Sequence, residues 1–249
     1  MLIENYEKIL ADLRQLGFEP TNEEKSELKV LMESDERRIF WRVDGHIEEQ
    51  EYYAVFMLVR PKNDLHYAIR EYRFSIEIAG QSIAQIFPVI YNDPFMADVP
   101  KEPITRERAA NLLCGRAIFD EAQGCWLQLD LSRTNQELNL GEVGNKYLQG
   151  FEHPTNYVVN RFPDFDLSRQ VGKLVPDSDI VGAVISKLYD GKEVAIEADN
   201  SSAKLTVAPV HKHLRVTSMD GKQLSVSKRY TAERDIPKSK KGARNVRKK

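Results

Sequence analysis

From the N-terminus, hydrophobic positions first follow a helical period and then switch to alternation. Ile3, Tyr6, Ile9, Leu10, Leu13 and Leu16 recur at three- and four-residue steps, which predicts an amphipathic helix over 3–16; Gly17 stands where a C-terminal cap belongs. Thr21 with Glu24 resembles a capping box, opening a second helix whose apolar stripe is Leu28, Leu31 and Met32. After Ser34 strand signals take over. Ile39–Val43 precedes Asp44-Gly45, a dipeptide that predicts a hairpin turn, and Glu51–Arg60 returns to the turn Pro61–Asp64. In Tyr67–Ala79, Ile69, Glu71 and Arg73 alternate with Tyr72, Phe74, Ile76 and Ile78, so the second set is expected to form the inner face. Ser82–Ile90 is the expected partner strand.

Pro94, Pro100 and Pro103 punctuate the next stretch, which reads as a linker over 91–103 and as the expected domain boundary. Thr105 is a plausible N-cap for a helix carrying Ala109, Ala110, Leu112 and Leu113, with Gly115 ending it. Ala117–Asp120 and Cys125–Leu131 then predict a hairpin around Glu121–Gly124. Leu127, Leu129 and Leu131 share one face of its second strand; Trp126, Gln128 and Asp130 share the other. Residues 132–162 are polar and without a period, hence an irregular excursion. Asp177 or Ser178 caps a further helix, with Ile180, Val181, Val184, Ile185 and Leu188 inward and Asp190-Gly191 closing it. A meander follows over Glu193–Ala198, Leu205–Ala208, Leu214–Ser218 and Gln223–Val226. The expected fold is therefore α+β: antiparallel hairpins and meanders with a few short helices. It divides into units over 1–90 and 104–227, followed by a disordered basic tail over 228–249.

Composition supports a globular chain. Of 249 residues, 41% are hydrophobic, enough for a substantial core. The longest apolar run, Tyr52–Val59, has strand length and falls well short of the roughly 18–20 residues that span a bilayer. The N-terminus MLIENYEK has no basic stretch followed by an apolar one, so no secretory signal is expected, and two cysteines do not make a disulfide scaffold. Cytoplasm is the expected location, with no membrane partner.

Charge changes the picture more than composition does. From Lys228 onward there are ten basic and two acidic residues, a tail at +8; residues 1–227 hold 26 basic and 36 acidic residues, a body at −10. Such an asymmetry is expected of a protein that touches a polyanion. Lys238, Lys240, Lys241, Arg244, Arg247, Lys248 and Lys249 are the candidate nucleic-acid-binding residues. At that density they would hold phosphate backbones through counterion release, without reading sequence.

Other candidate chemistry is outweighed by simpler roles. Cys114 and Cys125 fall about 20 Å apart along the predicted hairpin, too far for a disulfide, and read as small buried hydrophobes. His211 and His213 share a face of an extended segment, but two imidazoles make no metal site, and a third would have to come from His46, His66 or His153. Asp164, Asp166, Asp177 and Asp179 have the spacing of turn and helix-cap chemistry beside Pro163 and Pro176. Arg106 and Arg108 fall on different sides of their helix, and Arg116 is expected to reach Asp130 or carbonyls at the helix end. Tyr52, Tyr53, Tyr67, Tyr72 and Phe74 with Arg60, Arg70 and Arg73 could stack bases, but an ordinary sheet with one buried aromatic face explains them better. Nucleophile-elbow and phosphate-loop patterns are absent, so no catalytic residue and no cofactor is expected.

The block Ile104–Ile118, with Asn111-Leu-Leu-Cys-Gly-Arg-Ala-Ile118, followed by Cys125-Trp-Leu-Gln-Leu-Asp-Leu131, resembles a family of uncharacterised Bacteroidota proteins often carried on conjugative and other mobile elements. Phe165-Asp166-Leu167, Lys187–Ala198 and Leu205–Val216 are similar to later pieces of that pattern, and the likeness spans about residues 70–225. The resemblance implies a genomic setting and an accessory role, and no mechanism. Together these readings point to a non-enzymatic accessory protein that contacts nucleic acid through its tail. The alternatives are a protein-interaction adaptor with no nucleic-acid role and an unrecognised hydrolase or nuclease.

Overall fold

The hydrophobic stripe at the N-terminus forms α1 (Leu2–Gln15), and the capping box is made as expected. Thr21 accepts from the Glu24 amide at 3.2 Å while the Glu24 carboxylate accepts from the Thr21 amide at 2.6 Å, opening α2 (Asn22–Glu33). The computed structural model describes residues 2–34, 36–48, 50–61, 65–78, 80–89, 102–131, 157–160, 166–175, 177–198, 201–224 and 231–232. Beyond the two helices, β1 (Arg38–Ile47), β2 (Gln50–Val59), β3 (Ala68–Ile78) and β4 (Gln81–Pro88) form an antiparallel meander in chain order. Next come α3 (Arg106–Leu113) and a three-stranded sheet of β5 (Ile118–Asp120), β6 (Cys125–Leu129) and β7 (Tyr157–Asn160). Finally α4 (Leu167–Leu174) and α5 (Ser178–Tyr189) pack on β8 (Val194–Ala198), β9 (Ser201–Ala208), β10 (His213–Ser218) and β11 (Thr231–Ala232), in the sheet order β10-β9-β8-β11. The fold is α+β, with helices packed against antiparallel sheets.

Two apolar cores organise these elements. In the first, α1, α2 and α3 cover the inner face of the meander, and Phe18 sits fully buried among Tyr52, Phe56, Tyr72 and Phe74 with ring centroids 4.9–6.1 Å apart. A ring buried like this stabilises by roughly 1.5–3 kcal/mol through its removal from water, and edge-to-face packing adds to that. Asn5 ties α1 to the sheet: its amide donates to the Tyr67 carbonyl at 2.9 Å and accepts from the Tyr67 amide at 2.7 Å. The second core joins Leu167, Val171 and Leu174 of α4 and Val184 and Leu188 of α5 to the inner face of the β8–β10 meander.

Several expectations are corrected. The β1–β2 turn does not fall at Asp44-Gly45; both strands run on until Ile47 pairs with Gln50, and Gly45 lies opposite Tyr52. Gly45 is there because a Cβ would stand 2.5–2.9 Å from the Tyr52 ring, so glycine lets that ring lie across the strand. In β3 the register steps from Met57↔Glu71 to Leu58↔Ile69, a β-bulge at Arg70 that brings Ile69 to the same face as Tyr72, against the simple alternation. Nor does the other face of β3 face water, since Glu71, Arg73 and Ser75 are buried too. Residues 157–160, expected to be irregular, pair with β6. Thr231 and Ala232, expected in a disordered tail, pair with β8, because the edge of a sheet offers unpaired backbone groups to an extended segment.

α4 was not expected. The linker over 91–103 has all but its last two residues outside the described residues, as do most of 132–156 and the strand end 225–226. The first core nonetheless runs across the linker: Ile104, Leu112, Leu113, Ile118, Leu127 and Leu129 belong to the same buried cluster as Ile9 and Phe56.

Two predictions follow from this packing. Gly45→Asn, benign in a tight turn, is expected to cost about 1–3 kcal/mol here because its side chain meets the Tyr52 ring, as read by urea denaturation. Burial pushes the Glu71 carboxyl above its ordinary value, with Arg70 partly opposing. The folded state therefore holds that proton more tightly than the unfolded chain, and stability falls as pH rises from the ordinary carboxylate range through the raised value. Glu71→Gln should be more stable than wild type at neutral pH, with the difference closing in acid.

Candidate functional site

Around α3 the two cores meet a cluster of polar groups. Thr105 caps the helix, and its N-terminus is tied to α1 by the Arg106 amide donating to the Leu16 carbonyl at 2.8 Å. Ala109, Ala110, Leu112 and Leu113 join the first core. Glu107, Arg108 and Asn111 reach instead toward the end of α5. Asn111, only 7% exposed, donates through Nδ2 to the Asp190 carbonyl at 2.8 Å and accepts through Oδ1 from Arg116 Nη1 at 2.7 Å. Arg108 donates to the Phe119 carbonyl and lies 3.8 Å from the Asp190 carboxylate, and Lys192 pairs with Glu107.

Both helices end in the same way. The Gly115 and Arg116 amides donate back to Leu112 and Asn111 at 2.9 Å each, and those of Gly191 and Lys192 to Leu188 and Lys187 at 3.0 Å each, with both glycines left-handed. Gly191 has a second reason to lack a side chain. A Cβ there would stand 2.9 Å from the Ala117 carbonyl oxygen and 3.1 Å from Asn111, so the two capped ends touch backbone to backbone.

Between them opens a cleft of about 330 Å³. One wall is the loop Cys114–Ala117 with Gln128 of β6; the other is Leu188 and 191–193 at the end of α5, with Thr206–His211 and Arg215 from β9 and β10. Gln128 Nε2 donates to the Gly115 carbonyl at 2.9 Å, which leaves its amide oxygen as an acceptor. Arg116 lies 3.7 Å from Glu193, which also holds Lys204 at 3.0 Å. The lining thus holds three permanent cations, Arg116, Lys192 and Arg215, against the single carboxylate of Glu193. Burial pushes the Cys114 thiol up, with Arg116 opposing and Glu48 and Glu193 adding. The thiol is therefore held protonated rather than primed as a nucleophile.

The sequence candidates fall differently. The seven tail residues Lys238 to Lys249 lie outside the described residues, as do His153 and Asp164. Asp166 caps α4, accepting from the Arg169 amide at 2.9 Å, and Asp177 caps α5, accepting from the Asp179 amide at 3.1 Å. The His211 and His213 rings lie 5.7 Å apart, and no group of three potential metal ligands occurs among the described residues. Arg106 packs over the Tyr52 ring, and Arg116 pairs with Glu193 rather than Asp130, because the glycine turn aims it across the junction. Neither Cys114 nor Cys125 is in a disulfide; Cys125 is buried and Cys114 only partly so. Tyr52, Tyr67, Tyr72 and Phe74 are interior, and Tyr53, the partly exposed ring of that set, lies beneath Arg42.

Asn111, Gln128, Lys192 and Arg215 were missed. Asn111 carried a signal, a polar residue amid Ala-Ala and Leu-Leu on a helix. Arg215, between the buried Leu214 and Val216, must point away from the core.

The fold and junction define an α+β protein whose two cores are locked through one short helix. No family model, no curated protein and no solved structure matches the chain. Among the described residues, no helix is long and apolar enough to cross a membrane.

Asn111→Ala would leave the Asp190 carbonyl and an Arg116 donor without their partner at a half-buried site. Such a loss costs about 1–3 kcal/mol. The expected outcome is a shift of that size in the urea midpoint, together with faster hydrogen exchange at the Gly191 amide.

Proposed function

We propose that this chain is a non-enzymatic accessory protein that contacts nucleic acid through the basic segment 228–249, with affinity but without sequence specificity. The observation that carries the reading is the charge reversal at Lys228, from a body at −10 to a tail at +8. Counterion release from a phosphate backbone needs closely spaced cations and no particular fold, and this segment supplies them.

The body supports that division of labour. Arg42 is held by Asp44 at 2.6 Å, Arg108 and Arg116 are held at the junction, and Arg106 lies on Tyr52. Tyr52, Tyr67, Tyr72 and Phe74 face inward, and the partly exposed Tyr53 ring is covered by Arg42. β11 hydrogen-bonds to β8, so Thr231 and Ala232 of this segment lie at the sheet edge opposite β10. The resemblance of residues 70–225 to proteins of mobile elements supports an accessory role in DNA transfer, and two cysteines outside any disulfide suit a reducing cytoplasm.

An adaptor reading would gain from a broad apolar surface near Trp126 or Tyr52, but both rings are buried. A hydrolase reading would gain from Asp166 and His211 sharing a pocket. His211 lines the cleft, whereas Asp166 caps α4.

Fluorescence anisotropy with labelled duplex, over a salt series, tests the proposal. Full-length protein is expected to bind with a steep salt dependence, and a chain ending at Ser227 to lose most of the affinity and most of the slope. Unchanged affinity and slope after truncation would rule it out.

A further inference from the structure

The cleft between the two capped helix ends is unconnected with the tail and has properties of its own. Its lining brings together Arg116, Lys192 and Arg215 in a body whose charge is otherwise strongly negative. Gathering like charges in a concave, partly desolvated place is unfavourable unless an anion offsets them.

Two of the three cations have internal partners. Lys192 pairs with Glu107, and Arg116 shares Glu193 with Lys204. Arg215 differs from both: it is exposed on the outward face of β10, opposite Thr206, and no described carboxylate pairs with it. Arg116 is pre-oriented by its hydrogen bond to Asn111 and keeps further N–H groups for an anion.

The remaining lining decides what kind of anion fits. Gln128 offers an acceptor oxygen and Thr206 a hydroxyl, and the glycine turns expose backbone rather than hydrocarbon. A volume of about 330 Å³ is at the small end of the range of small-molecule sites, about 300–1,000 Å³. The lining carries no Phe, Tyr or Trp; His211 is its one aromatic ring, and polar groups make up most of its surface.

We propose that this cleft binds a small polar molecule through a phosphate or carboxylate group held by Arg215 and Arg116, with its neutral part hydrogen-bonded by Gln128 and Thr206. The role is binding rather than turnover, since the thiol in the cleft is kept protonated and Glu193 is taken up by Arg116 and Lys204. Both ends of the site ride on the α3–α5 junction, so occupation would draw β10 and the Cys114–Ala117 loop toward one anion and tighten the contact between the two cores.

The test is a ¹H–¹⁵N NMR titration of the full-length protein at constant ionic strength, with inorganic pyrophosphate in one arm and citrate in the other. Saturable shifts are expected at the Gly115 and Gly191 amides and the Gln128 side-chain amide. Tighter pyrophosphate binding assigns the site to phosphate esters; tighter citrate binding assigns it to polycarboxylates. Arg215→Ala, at an exposed position, is expected to weaken binding at least about tenfold with an unchanged melting temperature. Lys173→Ala, on the exposed face of α4, should leave binding unchanged. Truncation after Ser227 should also leave it unchanged, which separates this site from the tail. No saturable shift with either anion, equal weakening by both alanine variants, or shifts confined to 228–249 would overturn the proposal.

Discussion

The architecture depends on a single close approach, the backbone of Gly191 against the carbonyl of Ala117. Two helix ends carrying unsatisfied carbonyl groups are brought into contact there, and each carbonyl needs a donor if water is to be excluded. The Schellman turns satisfy the ends from within, and Asn111 supplies the donor for Asp190. A Cβ at position 191 would stand 2.9 Å from the Ala117 carbonyl oxygen and 3.1 Å from Asn111 and Ile118, so that backbone would have to shift and the left-handed turn would be strained. Such a shift bears directly on the Asn111–Asp190 hydrogen bond and on the Arg108–Asp190 pair.

The β5–β6 hairpin shows how one short element serves both cores. Ile118, Cys125, Leu127 and Leu129 enter the first core, whereas Ala117 and Trp126 enter the second, where Trp126 packs with Phe119 and Tyr189 at ring centroids 5.2 and 5.7 Å away. A strand has only two faces, and here each is spent on a different hydrophobic cluster. That gives a physical reading to the pattern Asn111-Leu-Leu-Cys-Gly-Arg-Ala followed by Trp126-Leu-Gln-Leu. Asn111, Gly115, Arg116, Ala117 and Trp126 are the residues that join the cores, so any protein sharing the pattern would be expected to share the junction.

Much of this was legible from the chain and some was not, for identifiable reasons. Helical periodicity, the Thr21–Glu24 box and the Thr105 and Asp177 caps are local chemistry, and local chemistry survives in three dimensions. Gly45 misled because a glycine beside an aspartate signals a turn, whereas its actual constraint comes from Tyr52, seven residues away along the chain and directly across the ladder. α4 escaped notice although Leu167, Val171 and Leu174 have helical spacing, because Pro163, Pro176 and Gly172 make the stretch look like a loop. The cleft had no local signature. Each of its glycine caps is readable alone, but their meeting is a property of the packed cores.

Charge in this protein works at two ranges, which explains how cationic sites persist on an acidic body. At physiological salt the Debye length is about 8 Å, so scattered surface carboxylates barely reach across the molecule. Within the cleft, Arg116, Lys192 and Arg215 act over contact distances with part of the water removed, where screening is weakest. A long polyanion approaching the body would meet the whole acidic surface and be turned away, while a small anion would sense only the local field. On the proposed reading, the acidic globule would repel nucleic acid and still hold an oxyanion, which leaves polyanion contact to the basic segment 228–249.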